Sequence, residues 1–184
     1  MSTASTDAVT AIEEAVTTSA DASAAGPDVR WLTAEQQRHW RTFRDATVML
    51  LDVLGRDLDE RSGLSLHEYE VMVRLSEADG HTLRMSQLAS TIAHSRSRLT
   101  HTIARMEAAG LVRRVACSSD ARGVNCVLTD DGWAALVAAA PWHVAAVREH
   151  LVDRLSDQQL AALGDAMEAV RAHLRGECSA DDVR

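Results

Sequence analysis

The chain has 184 residues, 46% of them hydrophobic, and a formal net charge of −8. That length suits one ordinary domain or two small ones sharing a core, and the composition is that of a globular protein. The N-terminus lacks the basic-then-apolar order of a signal peptide, and no run is apolar enough to span a bilayer, so a soluble cytoplasmic protein without a membrane partner is expected. Three cysteines (Cys117, Cys126, Cys178) fit a reducing compartment better than a disulfide framework.

In chain order, residues 1–30 are rich in Ser, Thr, Ala and Asp and read as an acidic tail, disordered or weakly helical around Val9, Ile12 and Val16. Thr33-Ala-Glu-Gln36 fits a capping box, and Trp40, Phe43, Thr47, Leu51, Leu54 and Leu58 then recur at steps of three and four. The spacing predicts a long helix ending near Gly63. It is longer than a small domain needs, which suggests that part of it packs on a partner. Ser65-Leu-His-Glu68 is a second capping box, opening a helix with Leu66, Tyr69, Met72 and Val73 inward. Asp79-Gly80 breaks it, and His81–Arg84 reads as a small edge strand.

Ser86 is expected to cap the next short helix, with Leu88, Ala89 and Ile92 inward. Ser95 is expected to cap the one after it, which buries Leu99, Thr102 or Ile103, and Met106 before stopping at Gly110. Leu111–Cys117 and Val124–Leu128 read as two strands joined by a polar loop. Thr129, followed by Asp130 and Asp131, opens a helix with Trp133, Leu136, Val137, Ala140, Val144, Val147 and Leu151 on one face. Pro141 should kink or divide it. Ser156-Asp-Gln-Gln159 is a third capping box, and Leu160, Leu163, Met167, Val170 and Leu174 mark a last helix ending at Gly176, with a frayed tail over 177–184.

The stretch from Ser86 to Leu128 organises this series. Helix, turn, helix and a two-stranded ribbon is how a winged helix meets duplex DNA. The acidic total conceals a local reversal. Seven arginines (84, 96, 98, 105, 113, 114, 122) stand against Glu107 and Asp120 between Arg84 and Arg122, so this stretch is +5 and the remainder −13. Local field governs phosphate contact more than net charge does. With Leu99, Ile103 and Met106 facing inward, Ser95, Arg96, Ser97, Arg98, Thr100, His101 and Arg105 remain as outward candidates. Arginine can bind guanine O6 and N7 together, while hydroxyls suit phosphates. Ser86 and Gln87 open the preceding helix, where positioning contacts arise. Arg122, near the loop tip, could enter a narrow minor groove with Asp120 orienting it.

At these residues the chain resembles the MarR family of winged-helix transcriptional regulators. The matching pieces are LSLHEYEVMVRLSEA, LRMSQLASTIAHSRSRLTHTIARMEAAGLVRR and SDARGVNCVLTDDGWAAL. The resemblance runs from about Trp31 to Leu174. It implies a mainly α fold with a small β-hairpin wing, a winged helix-turn-helix domain at 65–128, and a helical dimerisation domain at 31–64 and 129–176 that forms an intertwined homodimer. It places Arg96, Ser97, Arg98, Thr100 and His101 in the major groove and Asp120 with Arg122 at the wing. The expected output is repression at a pseudo-palindromic operator, relieved by a small, phenolic or anionic effector. His39, Trp40, Arg44, His67 and Tyr69 lie on the elements that would line its pocket.

Rival readings find less in the sequence. There is no phosphate-binding glycine loop, nucleophile elbow or His-Glu-x-x-His, so no enzyme is expected. No cofactor is expected either, and no His, Cys and acid cluster has the spacing of metal ligands. Cys117 and Cys126 would share a face if the hairpin closed symmetrically, which leaves a redox-responsive wing, or a regulator with no ligand response, as the alternatives.

Overall fold

The computed structural model describes residues 29–92, 96–117 and 123–181, with the side chains of Arg96 and of 175–181 excepted. The expectations for residues 1–28 lie outside the described residues. Among the described residues the order is α1 (Ala34–Ser62), α2 (Leu66–Ser76), a 3-10 turn at Asp79–His81, β1 (Thr82–Arg84), α3 (Met85–Thr91), α4 (Arg96–Ala108), β2 (Val112–Ala116), β3 (Val124–Leu128), α5 (Asp130–His150), a second 3-10 turn (Val152–Arg154) and α6 (Asp157–Asp181). The architecture is mainly helical with one small antiparallel sheet of order β1-β3-β2. No described helix is long and apolar enough to cross a membrane.

The chain divides into two compact units, up to Met49 and from Leu50 onward. In the first, the Thr33 amide donates to Gln36 Oε1 at 2.9 Å and the Gln36 amide donates to Thr33 Oγ1 at 3.2 Å. This reciprocal cap satisfies two of the donors that a helix start leaves open. Trp40 and Phe43 stack loosely, with centroids 6.1 Å apart, and both stay exposed.

In the second unit, the core gathers Leu58, Tyr69, Met72, Leu75, Leu88, Ile103, Met106, Val112, Cys126 and Leu136. Each large aliphatic side chain fully withdrawn from water contributes about 2 kcal/mol. The caps at Ser65 and Ser156 form as their sequences predict. Gly63 closes α1 with φ 69°, the left-handed conformation that glycine adopts without a Cβ penalty. At the end of α4 the Leu111 amide donates to Met106 O and the Gly110 amide to Glu107 O, with Gly110 at φ 76°. This paired closure turns the chain directly into β2.

Two expectations need correction and two are narrowed. Ser86 does not cap α3: β1 runs straight into the helix, Arg84 is the cap residue, and Gln87 Oε1 accepts from the Arg84 amide at 3.2 Å. The expected apolar stripe of α5 is not the face packed within the chain: Gly132, Leu136, Ala139 and Ala146 are buried, whereas Trp133, Val137 and Val144 are exposed. Small residues allow close packing there, so the largest side chains mark the open face. Of the two outcomes open at Pro141, division does not occur: α5 runs unbroken from Asp130 to His150, the cost of one lost backbone bond being absorbed within a long helix. Gly176 does not end α6, which continues to Asp181, because a helical glycine costs only about 1 kcal/mol.

Candidate nucleic-acid interface

Helix α4 owes its orientation to its inner face. Leu99, Thr102, Ile103 and Met106 are all buried, a spacing of three and four that fixes its rotation about its axis. Ser97, Arg98, Thr100, His101 and Arg105 are consequently all exposed. Ser97, Arg98, His101 and Arg105 line an open groove of about 600 Å³ with Ser65 and His67 of the α2 start. Ser86 and Gln87 are exposed in the first turn of α3. Ser95, Asp120 and Arg122 lie outside the described residues, as does the Arg96 side chain.

Two ion pairs tie α4 to its neighbours, and neither was anticipated from the sequence. Arg105 Nε donates to Glu68 Oε1 at 2.9 Å. The other oxygen of Glu68 accepts from the Ser65 amide at 2.9 Å and from the Ser65 hydroxyl at 2.7 Å. Burial raises the Glu68 pKa, but the bonds from Ser65 and Arg105 outweigh it and hold this carboxyl below its ordinary value. Farther along α4, Glu107 accepts from the Arg114 amide at 2.8 Å and from its Nε and Nη2 at 2.8 and 2.6 Å. The Arg114 guanidinium keeps the Glu107 carboxyl low, and α4 is thereby fastened to β2. Arg113, its neighbour on the strand, takes the opposite face of the sheet.

The sheet register removes the wing disulfide. Cys126 stands opposite Arg114 and Leu83, whereas the Cys117 amide donates across to Gly123 O. Cys117 is therefore at an odd offset from the partner of Cys126, and the two side chains take opposite faces of the ribbon. A disulfide needs Cβ atoms about 4 Å apart and pointing together. Burial also pushes the Cys126 thiol up to about 11, which suppresses its thiolate. Cys117 instead accepts from Arg84 Nη2 at 3.4 Å.

The expected effector residues are dispersed in role. Tyr69 is only 7% exposed, and its ring lies 4.5 Å from that of His143. It is part of the core, where burial raises its pKa and lowers that of His143. His67 lines both the α4 groove and a second groove of about 560 Å³ formed with Leu51, Asp52, Arg56, Asp59 and Glu70. In the N-terminal unit, Arg44 bonds its neighbour Asp45 at 2.7 Å, His39 faces Glu35 at 3.6 Å, and Trp40 is exposed.

Gly132, within the LTDDG segment, is explained only by the structure. A Cβ there would stand 2.0 Å from the Leu111 carbonyl oxygen and 2.8 Å from Leu128 Cδ1. The same Leu111 oxygen accepts from the Thr129 amide at 3.1 Å, so the base of the wing and the start of α5 meet backbone to backbone.

Known proteins share this arrangement. Residues 64–124 match the family model described as MarR family. The chain is 29% identical over 126 residues to the HTH-type transcriptional regulator PecS of Dickeya dadantii, covering 66% of this chain and 75% of PecS. Among solved structures it is similar to Sco3205, a MarR family transcriptional regulator from Streptomyces coelicolor crystallised in complex with DNA. The identity is 43%, the TM-score 0.76, and the match covers 79% of this chain and 92% of Sco3205. AbsC, a MarR family regulator from the same organism, matches at 44% identity and TM-score 0.75, over 80% of this chain and 99% of AbsC. With these identities spanning nearly the whole of both relatives, the chain belongs to the MarR family of winged-helix transcriptional regulators.

Proposed function

We propose that this chain is a repressor that binds a pseudo-palindromic operator as a homodimer, reading bases through α4. The observation that carries the reading is the row Ser97, Arg98, Thr100 and His101, exposed on a helix whose other face is locked into the core. By the family resemblance Arg96 joins these base contacts, Ser86, Gln87 and Ser95 supply phosphate contacts, and Arg122 with Asp120 extends the footprint to the minor groove. The segment is +5 in a chain of −8, and Sco3205 is a DNA complex. In this reading residues 65–128 bind DNA, while 31–64 and 129–176 hold the dimer. The exposed Trp40, Phe43, Val48 and Leu51 of α1, and Trp133, Val137 and Val144 of α5, support a second copy, because monomers rarely leave so many large apolar groups uncovered.

A small effector weakens DNA binding in this account. The groove beside α1 contains Asp52, Asp59 and Glu70, and Arg56 already pairs with Asp52 at 3.2 Å. It therefore suits a neutral phenol better than a strong anion, which would meet three carboxylates.

Nuclease footprinting on the DNA upstream of the gene tests the reading. Protection should appear as two symmetric half-sites about 10 bp apart, the spacing of one helical turn. Protection of a single asymmetric half-site would contradict the dimeric operator.

A further inference from the structure

Arg105 is an outward arginine on the reading helix, and by type it would be assigned to DNA. Its geometry says otherwise. We infer that Glu68 and Arg105 are positioning residues: their ion pair sets the angle of α4, and Arg105 does not contact DNA. This rests on the DNA-binding reading above.

The Arg105 side chain is 64% exposed, but Glu68 is only 12% exposed and keeps both oxygens engaged. One oxygen closes the cap of α2 through Ser65, and the other holds Arg105. A single carboxylate thus joins the N-terminus of one helix to the outer face of another. Exposed ion pairs are individually weak, but this one has a partly buried, multiply bonded anion whose place is fixed by the cap. Arg105 also sits two helical turns beyond Arg98, away from the N-terminal end that enters the groove. At 1.5 Å per residue the two are about 10 Å apart along the axis, so a tilt of ~10° at the clamp moves Arg98 by about 2 Å. A bidentate contact to guanine does not survive a shift of that size.

Glu68→Gln separates the alternatives, because the glutamine amide oxygen can keep the capping box while its NH2 group cannot accept from Arg105, so the ion pair is lost. Operator and unrelated DNA of equal length are titrated at several salt concentrations, with melting followed in parallel. The positioning role predicts an unchanged melting temperature and an operator affinity lower by roughly fivefold. Affinity for unrelated DNA should hold or rise slightly as one negative charge is lost. Arg105→Leu should lose a similar factor at the operator, and the double variant no more than either single one. If Arg105 instead binds phosphate, Glu68→Gln releases it, both DNAs bind more tightly, and the salt dependence steepens by about one counterion. That result, or no change on either DNA, overturns the inference. A wild-type protein that binds neither DNA overturns the DNA-binding reading itself, visible before any variant is made.

Discussion

Gly132→Ala is expected to destabilise the protein by about 2–4 kcal/mol, although alanine is the better helix former by about 1 kcal/mol. The reversal of sign comes from contact. The added Cβ meets the Leu111 carbonyl oxygen at 2.0 Å and Leu111 C at 3.0 Å, both backbone atoms that cannot rotate away. Relief requires separating the start of α5 from the base of the wing. That movement strains the Thr129 bonds to Gly110 O at 2.6 Å and Leu111 O at 3.0 Å. It also disturbs the cap formed when the Gly132 amide donates to Thr129 Oγ1 at 3.0 Å. For a chain of this size the melting temperature should fall by about 6–12 °C when compared at equal protein concentration. A melting temperature equal to or above that of the wild type would show that the junction yields easily, contrary to the packing described. Gly164→Ala is the matched control, since nothing lies within 4 Å of its added Cβ and it too is helical.

Arg98→Ala should cost about 1–3 kcal/mol at the operator and relax base preference at one position in each half-site. Arg98 is exposed in the first turn of α4, where the N-terminal face of a recognition helix reaches base edges. Arg98→Lys sharpens the test, because lysine keeps the charge but not the planar pair of donors that matches guanine O6 and N7. If base reading is the role, lysine restores affinity for unrelated DNA but not discrimination at the operator. Uniform weakening on every sequence, with the salt dependence shallower by about one counterion, would make Arg98 a phosphate contact.

Much of this could be read from the sequence because it is locally encoded. The three capping boxes depend on a hydroxyl and an amide or carboxylate three residues apart, and all three form. The inner face of α4 follows from its periodicity, and with it the outer row of candidate contacts. What the sequence left unread has a different cause. On α5 both faces are apolar, and a reading by side-chain size selects Trp133, Val137 and Val144, which stay open, over Gly132, Ala139 and Ala146, which pack. The conditional wing disulfide is excluded because register is a property of two strands, not one: Cys126 is matched to Arg114 and Leu83. The Glu68–Arg105 pair joins residues 37 apart, so each side chain reads as an ordinary surface charge until the fold brings them together. Gly132 had a motif but no reason, since the reason is a carbonyl contributed by Leu111.

The central claim is that α4 and its basic surroundings bind specific duplex DNA despite an acidic chain. Titrating the purified protein against its own upstream region and a scrambled duplex, across a range of salt concentrations, tests it most directly. Binding should weaken steeply and linearly in log salt as released counterions accumulate. The upstream region should be preferred by about 10³-fold or more. Equal affinity for both duplexes, or no salt-sensitive binding to either, would contradict it.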